Sequence, residues 1–222
     1  MAKKTVLITG GSRGIGAAVV SVLKKAGYNP VAPTRQELDL KDRNSITNFI
    51  KKNKNLKIYA LINNAGINSP QWIEEIGDEN IDETIQVNLI APILLARGFI
   101  PLLKKNKIAH IINISSMFGV IARGKQVIYS ASKSGINGVT KSLALELAQY
   151  NILVNSICPG FVDTDLTRRN SSEKNAQLAK DVPLGRFAKA QEIAYLIEFL
   201  ISEKNTYITG ETILIDGGYT AK

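Results

Sequence analysis

Thr9-Gly10-Gly11-Ser12-Arg13-Gly14-Ile15-Gly16 follows directly on the apolar run Val6-Leu7-Ile8. That run is too short and too β-branched for a helix and reads as a buried strand. Beyond Gly16 the spacing turns helical, with Val19, Val20, Leu23 and Ala26 facing inward, and Gly27 closes the helix. Strand, glycine-rich turn and helix in that order make a phosphate-binding device. The glycines let the backbone approach closely, and the helix N-terminus offers free N–H groups and partial positive charge to a pyrophosphate. The spacing is G-x-x-x-G-x-G rather than G-x-G-x-x-G, and alone it is compatible with an ordinary turn. The flanking strand and helix supply the context that makes it a dinucleotide site.

Outward from this stretch, strands and helices alternate without internal repeats, low-complexity tracts or linkers. The pattern predicts an α/β chain of one domain, residues 1–222, with a Rossmann-type doubly wound parallel sheet and helices on both faces. About seven strands are expected. After the first, they fall near Asn29–Pro33, Leu38–Leu40, Ile58–Ile62, Ile111–Ile114, Leu153–Ile157 and Thr212–Ile215. The link Thr34-Arg35-Gln36-Glu37 is too short for a crossover helix. Asp42 or Asn44 can cap a helix running to about Lys52. Further helices are expected over Ile81–Lys104, bent at Pro92, over Tyr129–Gln149 and over Gln191–Ile201. Residues 165–182 are polar and irregular, which predicts a mobile substrate flap near 165–185.

At 222 residues and 45% hydrophobic content, the chain can bury a sizeable core, and no apolar run reads as long enough to cross a membrane. The N-terminus leads straight into the first strand, leaving no room for a signal peptide. Cys158 is the single cysteine, so no internal disulfide forms, and a cytoplasmic or plastid-stromal setting is expected. The net charge of +9 comes from lysine clusters (24–25, 51–57, 104–107) near predicted helix ends, where cations suit the dipole. Solvated helix ends are the plain reading; attraction to phosphorylated cofactors or an acidic carrier protein is the sharper one. No basic segment is interleaved with aromatics, so nucleic acid is not an expected partner, and neither is a membrane.

Tyr129 and Lys133 stand four apart at the start of a helix and project from one face. A nearby ammonium favours the phenolate and lowers the tyrosine pKa from about 10, which suits the phenol to acid–base work. Ser116, at a strand end, can hold a substrate oxygen beside the phenol. Its neighbour Ser115 is the rival and is expected to face away. Alone, a Tyr–Lys pair at this spacing is ordinarily helix decoration.

Together these residues resemble the short-chain dehydrogenases/reductases over nearly the whole chain. The family's T-G-x-x-x-G-x-G appears as Thr9–Gly16, its N-N-A-G as Asn63–Gly66 and its helix asparagine as Asn88. Its Y-x-x-x-K is Tyr129–Lys133, with Ser116 thirteen positions earlier, and its P-G turn is Pro159-Gly160. The resemblance implies hydride transfer between nicotinamide and a carbonyl or alcohol carbon. Tyr129 donates the proton and Ser116 polarises the carbonyl. Lys133 binds the ribose and depresses the Tyr129 pKa, while Asn88 holds a water in a proton relay.

For the cofactor, Gly10, Ser12, Arg13, Gly14, Ile15 and Gly16 line the phosphates, and Asn64, Ala65 and Gly66 flank the adenosine ribose. Asp39 accepts from the adenine amino group with Leu40 beside the ring, and Pro159, Gly160, Val162 and Thr164 serve the nicotinamide side. Thr34 and Arg35 stand where NAD-preferring members place an acid, and Arg13 lies in the glycine turn. NADP(H) is therefore the expected coenzyme, with NAD(H) as the alternative and Glu37 as a complication.

Within the family the tracts Pro159–Thr167, Val182–Phe187, Tyr207–Gly210 and Asp216–Gly218 resemble the 3-oxoacyl-[acyl-carrier-protein] reductases. The implied substrate is a small molecule or an acyl chain on carrier protein, met by Lys107, Arg168 and Arg169. A sugar, polyol or small-ketone dehydrogenase is the alternative. A non-catalytic cofactor sensor is the remote one. His110 is expected before a strand and, being alone, makes no metal site. Cys158 reads as a small buried hydrophobe, and Trp72 as surface packing or a substrate contact. Leu94, Phe99, Ile136, Val139 and Leu143 are expected to expose apolar surface, implying a homo-oligomer.

Overall fold

The computed structural model describes residues 3–165 and 167–221. β1 (Thr5–Ile8) passes through the glycine-rich turn into α1 (Gly14–Lys25), and β2 (Asn29–Val31) follows. Next come α2 (Arg43–Lys52), β3 (Ile58–Asn63), α3 (Asp78–Ile85), α4 (Ala91–Leu103) and β4 (Ala109–Ile114). The chain continues as α5 (Val127–Leu147), β5 (Ile152–Pro159), β6 (Val162–Asp163) and α6 (Ser172–Lys180). It closes with β7 (Ala188–Lys189), α7 (Ala190–Ile201) and β8 (Thr212–Ile215).

Six strands form a parallel sheet in the order β2-β1-β3-β4-β5-β8, while β6 and β7 pair separately. The order reverses between β1 and β3, so a crevice opens beyond the C-terminal ends of these strands. Both faces of the sheet are covered, which is why its strands read as near-continuous apolar runs. Leu7, Leu61 and Ile111 pack with Ile46, Leu95, Phe99 and Leu103 beneath α2 and α4. On the other face Val6, Ile8, Ile62 and Ile112 meet Val19, Leu23, Ile193 and Ile197 beneath α1 and α7. Each such side chain contributes about 1.5–3 kcal/mol by burial.

The structure corrects the sequence reading in several places. Leu38–Leu40 is not a strand: Leu38 N–H donates to the Thr34 carbonyl at 3.0 Å and Asp39 N–H to Ser45 Oγ at 2.9 Å, so neither donor is free for a ladder. Leu38 instead plugs the core, and the main sheet has six strands. Asp42, not Asn44, caps α2, its Oδ1 accepting from Asn44 N–H at 2.8 Å. The long central helix starts at Asp78 and carries a π turn over Gln86–Ile90, where Ala91 N–H reaches back to the Gln86 carbonyl. Pro92 has no N–H to return to the Asn88 carbonyl and its ring crowds that oxygen, so the helix widens to a π turn at this point.

By length and composition the run Asp78–Leu103 also matches a membrane span, contrary to expectation, yet Leu95, Phe99 and Leu103 in it are fully buried against the sheet. Phe99 and Ile136, expected at the surface, belong to the interior, whereas Leu145 is 82% exposed on α5. Within the expected flap, α6 forms, started by Ser171 Oγ accepting from Lys174 N–H at 3.2 Å and anchored by buried Leu178. Its single apolar anchor left no periodicity to read. Leu166 and the Arg169 side chain lie outside the described residues.

Candidate active site

The glycine-rich turn is braced by the end of β3. Thr9 Oγ1 accepts from Asn64 N–H and Ala65 N–H, both at 3.0 Å, and Asn64 Nδ2 donates to the Thr9 and Gly10 carbonyls at 2.9 and 3.1 Å. Gly10 takes φ +68°, and a Cβ on Gly16 would lie 2.1 Å from the Gly10 oxygen, so neither position admits a side chain without rearrangement. At the N-terminus of α1, Arg13 makes no side-chain cap and the first turn holds no acidic residue. Its N–H groups are therefore available to an anion, and a dinucleotide pyrophosphate fits this cradle. Ser12 and Arg13 are exposed there, and Ile15 is half-buried against the core beneath α1. Thr164 stands against Gly14, where a Cβ would lie 3.4 Å from the threonine methyl group. Pro159 ends β5, and Gly160 packs on Asp216, leaving no space for a Cβ. The Val162 side chain is buried in the core, so only its main chain is available to a ligand.

Ser116 follows β4 and opens the one-turn 3-10 helix Met117–Gly119, its Oγ accepting from Phe118 N–H at 3.1 Å. The hydroxyl lies near enough to the phenol of Tyr129, the third residue of α5, to favour its ionised form. Ser115 is engaged elsewhere. Its buried Oγ donates to the Lys133 carbonyl at 2.9 Å, so of the two serines Ser116 alone pairs with the phenol. Lys133 Nζ donates to the Ile114 carbonyl at 2.7 Å and lies 5.7 Å from the Tyr129 ring centre. Burial lowers its pKa to about 8. The Tyr129 phenol is pushed above its ordinary value by burial, which outweighs the opposing influence of the Ser116 hydroxyl. The expected depression of Tyr129 is thus corrected: Lys133 points its proton at a main-chain oxygen, and desolvation dominates.

The Asn88 side chain is engaged within the protein. Its Oδ1 accepts from Ile67 N–H at 2.9 Å, and its Nδ2 donates to the Ile67 carbonyl at 2.9 Å and Ser132 Oγ at 3.1 Å. The side chain therefore clamps the loop after Gly66. Its main-chain carbonyl is the oxygen deprived of an α-helical donor by Pro92. Gly66 keeps this corner open, since a Cβ there would lie 3.3 Å from both Asn88 Oδ1 and Lys133 Nζ.

On the adenosine side, Glu37 folds back onto Thr34, accepting from its N–H at 2.8 Å and its hydroxyl at 3.0 Å. Arg35 Nε lies 3.5 Å from Asp39 Oδ2, a loose pair with Arg35 well exposed, and Leu40 packs against the core. Asp39 Oδ1 accepts from Lys41 N–H. Lys107 precedes β4 and so sits at the opposite edge of the sheet from Ser116, and Arg168 is held by Asp163 at 3.0 and 3.3 Å. Trp72 is half-exposed, with Lys125 Nζ 4.9 Å from its ring centre.

His110 lies within β4, fully buried, rather than before it. No group of three metal-ligating side chains occurs among the described residues. Cys158 is buried but not purely apolar in its contacts, its Sγ lying 3.8 Å from Asn137 Oδ1. Sequence reasoning missed a buried polar chain beneath the site: Asn63 Nδ2 to Asn113 Oδ1, Asn113 Nδ2 to Thr140 Oγ1, each 2.9 Å. An asparagine amid the isoleucines of β4 was the signal that could have found it.

The family profile described as Enoyl-(Acyl carrier protein) reductase matches residues 29–220. The 3-oxoacyl-[acyl-carrier-protein] reductase FabG of Rickettsia felis is 36% identical, covering 97% of this chain and 96% of that protein. Among solved structures, a short chain dehydrogenase family protein from Francisella tularensis superposes with TM-score 0.91 at 35% identity, covering 100% of both chains. A 4-hydroxyisoleucine dehydrogenase complexed with NADH gives 0.91 at 31% identity over 99% of this chain and 100% of that one. ElxO with NADP bound gives 0.92 at 26% identity over 100% of both. With a glycine-rich turn at the switch point and a serine and a tyrosine set beside a buried lysine, the chain belongs to the short-chain dehydrogenase/reductase family of NAD(P)-dependent oxidoreductases acting on carbonyl and hydroxyl groups.

Proposed function

We propose that this protein reduces a 3-oxoacyl thioester, carried on acyl carrier protein, to the 3-hydroxyacyl thioester with NADPH. The observation that carries the reading is the convergence of Ser116, Tyr129 and buried Lys133, its Nζ 5.7 Å from the Tyr129 ring centre, joined to the likeness to FabG. The bound coenzyme supplies hydride to the carbonyl carbon. Ser116 Oγ holds the carbonyl oxygen, and Tyr129 Oη gives it a proton. A phenol raised by burial stays protonated at neutral pH, as the reductive direction requires. With coenzyme bound, Lys133 Nζ would donate to the nicotinamide ribose, and the Asn88 carbonyl would receive a water that returns the proton.

For the coenzyme, Arg13 and Arg35 supply two exposed guanidiniums for a 2′-phosphate, and Glu37 is turned away into Thr34. Arg168, freed from Asp163, would meet an acidic carrier; Lys107 is too far from the crevice to help. A homo-oligomer is the proposed assembly, supported by exposed Leu145, Tyr195 and Tyr207. A cytoplasmic setting is proposed from the bacterial FabG relatives.

The likeness to 4-hydroxyisoleucine dehydrogenase favours a second reading, a small hydroxy or keto compound as substrate. Steady-state rates with acetoacetyl-carrier protein against free ketones, sugars and hydroxy acids, each with NADPH and NADH, separate the two. Rapid NADPH oxidation with the thioester alone supports the proposal; silence there with turnover of a free ketone replaces it with the second reading.

A further inference from the structure

Asn137 stands on α5 one turn beyond Lys133 and two beyond Tyr129, so all three share a face of the helix. It is 8% exposed, and its carboxamide touches two separate elements. Nδ2 donates to the Gly119 carbonyl at 3.1 Å, at the end of the turn that Ser116 begins. Oδ1 accepts from Ser156 Oγ on β5 at 2.7 Å and lies 3.8 Å from the Cys158 thiol on the same strand. Every hydrogen-bonding direction of the Asn137 oxygen is thereby fixed from below, which aims its amide nitrogen at the turn.

That turn is pressed hard onto the helix. A Cβ on Gly119 would lie 2.7 Å from Ser115 Oγ and 2.8 Å from the Lys133 carbonyl oxygen, so the contact is main chain against main chain. Ser134 Oγ donates to the same Gly119 carbonyl at 3.0 Å from the solvent side. The only residues between this anchor and Ser116 are Met117 and Phe118, with Gly119 N–H bonded to the Ser116 carbonyl at 2.9 Å. Movement of the Gly119 carbonyl therefore moves Ser116.

We infer that Asn137 is a positioning residue, pinning the Met117–Gly119 turn to α5 so that the Ser116 hydroxyl meets the Tyr129 phenol. It acts through that turn and touches neither substrate nor coenzyme. The inference rests on the proposed carbonyl chemistry of Ser116 and Tyr129. A hydroxyl displaced by about an ångström from a reacting group costs on the order of a hundredfold in rate, so the anchor matters to turnover more than to binding. Lys133 on the same helix, Cys158 on β5 and Lys125 in the preceding loop are the titratable groups around Tyr129.

The test compares wild type, Asn137→Leu and Ser156→Ala, the second deleting only the hydroxyl that orients the carboxamide. Expected for Asn137→Leu is a fall in kcat of about tenfold or more, with the NADPH dissociation constant, read by fluorescence, within about twofold of wild type. In the oxidative direction, with a 3-hydroxybutyryl thioester, the pH midpoint of kcat should rise, since the phenol loses a neighbouring hydroxyl that favours its ionised form. Ser156→Ala should show a smaller change of the same kind. Because Ser134 shares the Gly119 carbonyl, Ser134→Ala should couple with Asn137→Leu in a double-mutant cycle on kcat.

A folded Asn137→Leu enzyme with lower melting temperature but wild-type kcat and pH midpoint overturns the inference, since a purely structural residue gives that result. If Asn137→Leu does not fold, unchanged kcat and midpoint in Ser156→Ala overturn it. A wild-type enzyme inactive on every carbonyl tested brings down the proposed function and this inference with it, whereas an active wild type matched by its variants sinks the inference alone.

Discussion

His110 allows a prediction in which the acid sensitivity of the fold is worked from one side chain. It is fully buried in β4, and its Nε2 lies 3.0 Å from Tyr59 Oη. Tyr59 Oη already donates to the Ile201 carbonyl at 2.8 Å, so its oxygen can only accept from His110, which places the proton on Nε2. Nδ1 is buried without a hydrogen-bond partner. A second proton must go on that nitrogen, away from water and with no acceptor, and Lys4 nearby opposes it further. Burial first, then Lys4, lowers the His110 pKa to about 4.

The unfolded chain, with the ordinary value near 6.5, binds this proton more readily than the folded one, so stability is full above pH 6.5 and lost as the pH falls towards 4. The linkage relation gives a loss of about 2 kcal/mol between pH 7.5 and pH 5 from this group alone. Urea unfolding of wild type and His110→Phe at both pH values isolates it, because carboxylates with lowered pKa contribute little above pH 5. The variant should lose about 2 kcal/mol less than wild type over that interval. Equal losses in the two proteins, or a His110 resonance titrating near pH 6.5 in the folded state, would refute the reasoning.

Three further predictions concern the site. Tyr129→Phe removes the proton donor and should lower kcat by about 10²–10⁴-fold while NADPH still binds; full turnover in that variant excludes the assigned role. Gly16→Ala drives a methyl group to within 2.1 Å of the Gly10 oxygen. A fluorescence titration should find NADPH binding weakened about tenfold or more, with about 1–3 kcal/mol lost from stability; unaltered binding would place the dinucleotide elsewhere. Ser115→Ala releases the Lys133 carbonyl and should cost about 1 kcal/mol in a denaturant titration, with kcat far less affected than by Ser116→Ala. Equal kcat losses for both serines would refute their separation.

Much of this protein is determined locally and so could be read from the chain. The glycine-rich turn between an apolar strand and a helix is set locally, because φ +68° at Gly10 and the crowding at Gly16 are demands on single residues. Alternating strands and helices fix the parallel sheet, and the four-residue spacing puts Tyr129 and Lys133 on one face of α5. Cap chemistry put a helix start at Asp42 or Asn44. What the sequence left open depends on partners distant along the chain.

Leu38–Leu40 reads as a strand by hydrophobicity, but its N–H groups find Thr34 and Ser45 before any neighbouring strand, and Leu38 serves as a plug. The Tyr129 pKa was misjudged because spacing reveals an ammonium nearby but not the Ile114 carbonyl that holds it, nor the depth of burial. Asn88 and Asn137 look alike as polar residues on helices. Only the packed structure separates one that clamps the Ile67 loop from one that anchors the serine turn, because a carboxamide takes its role from whatever donors and acceptors the fold brings against it.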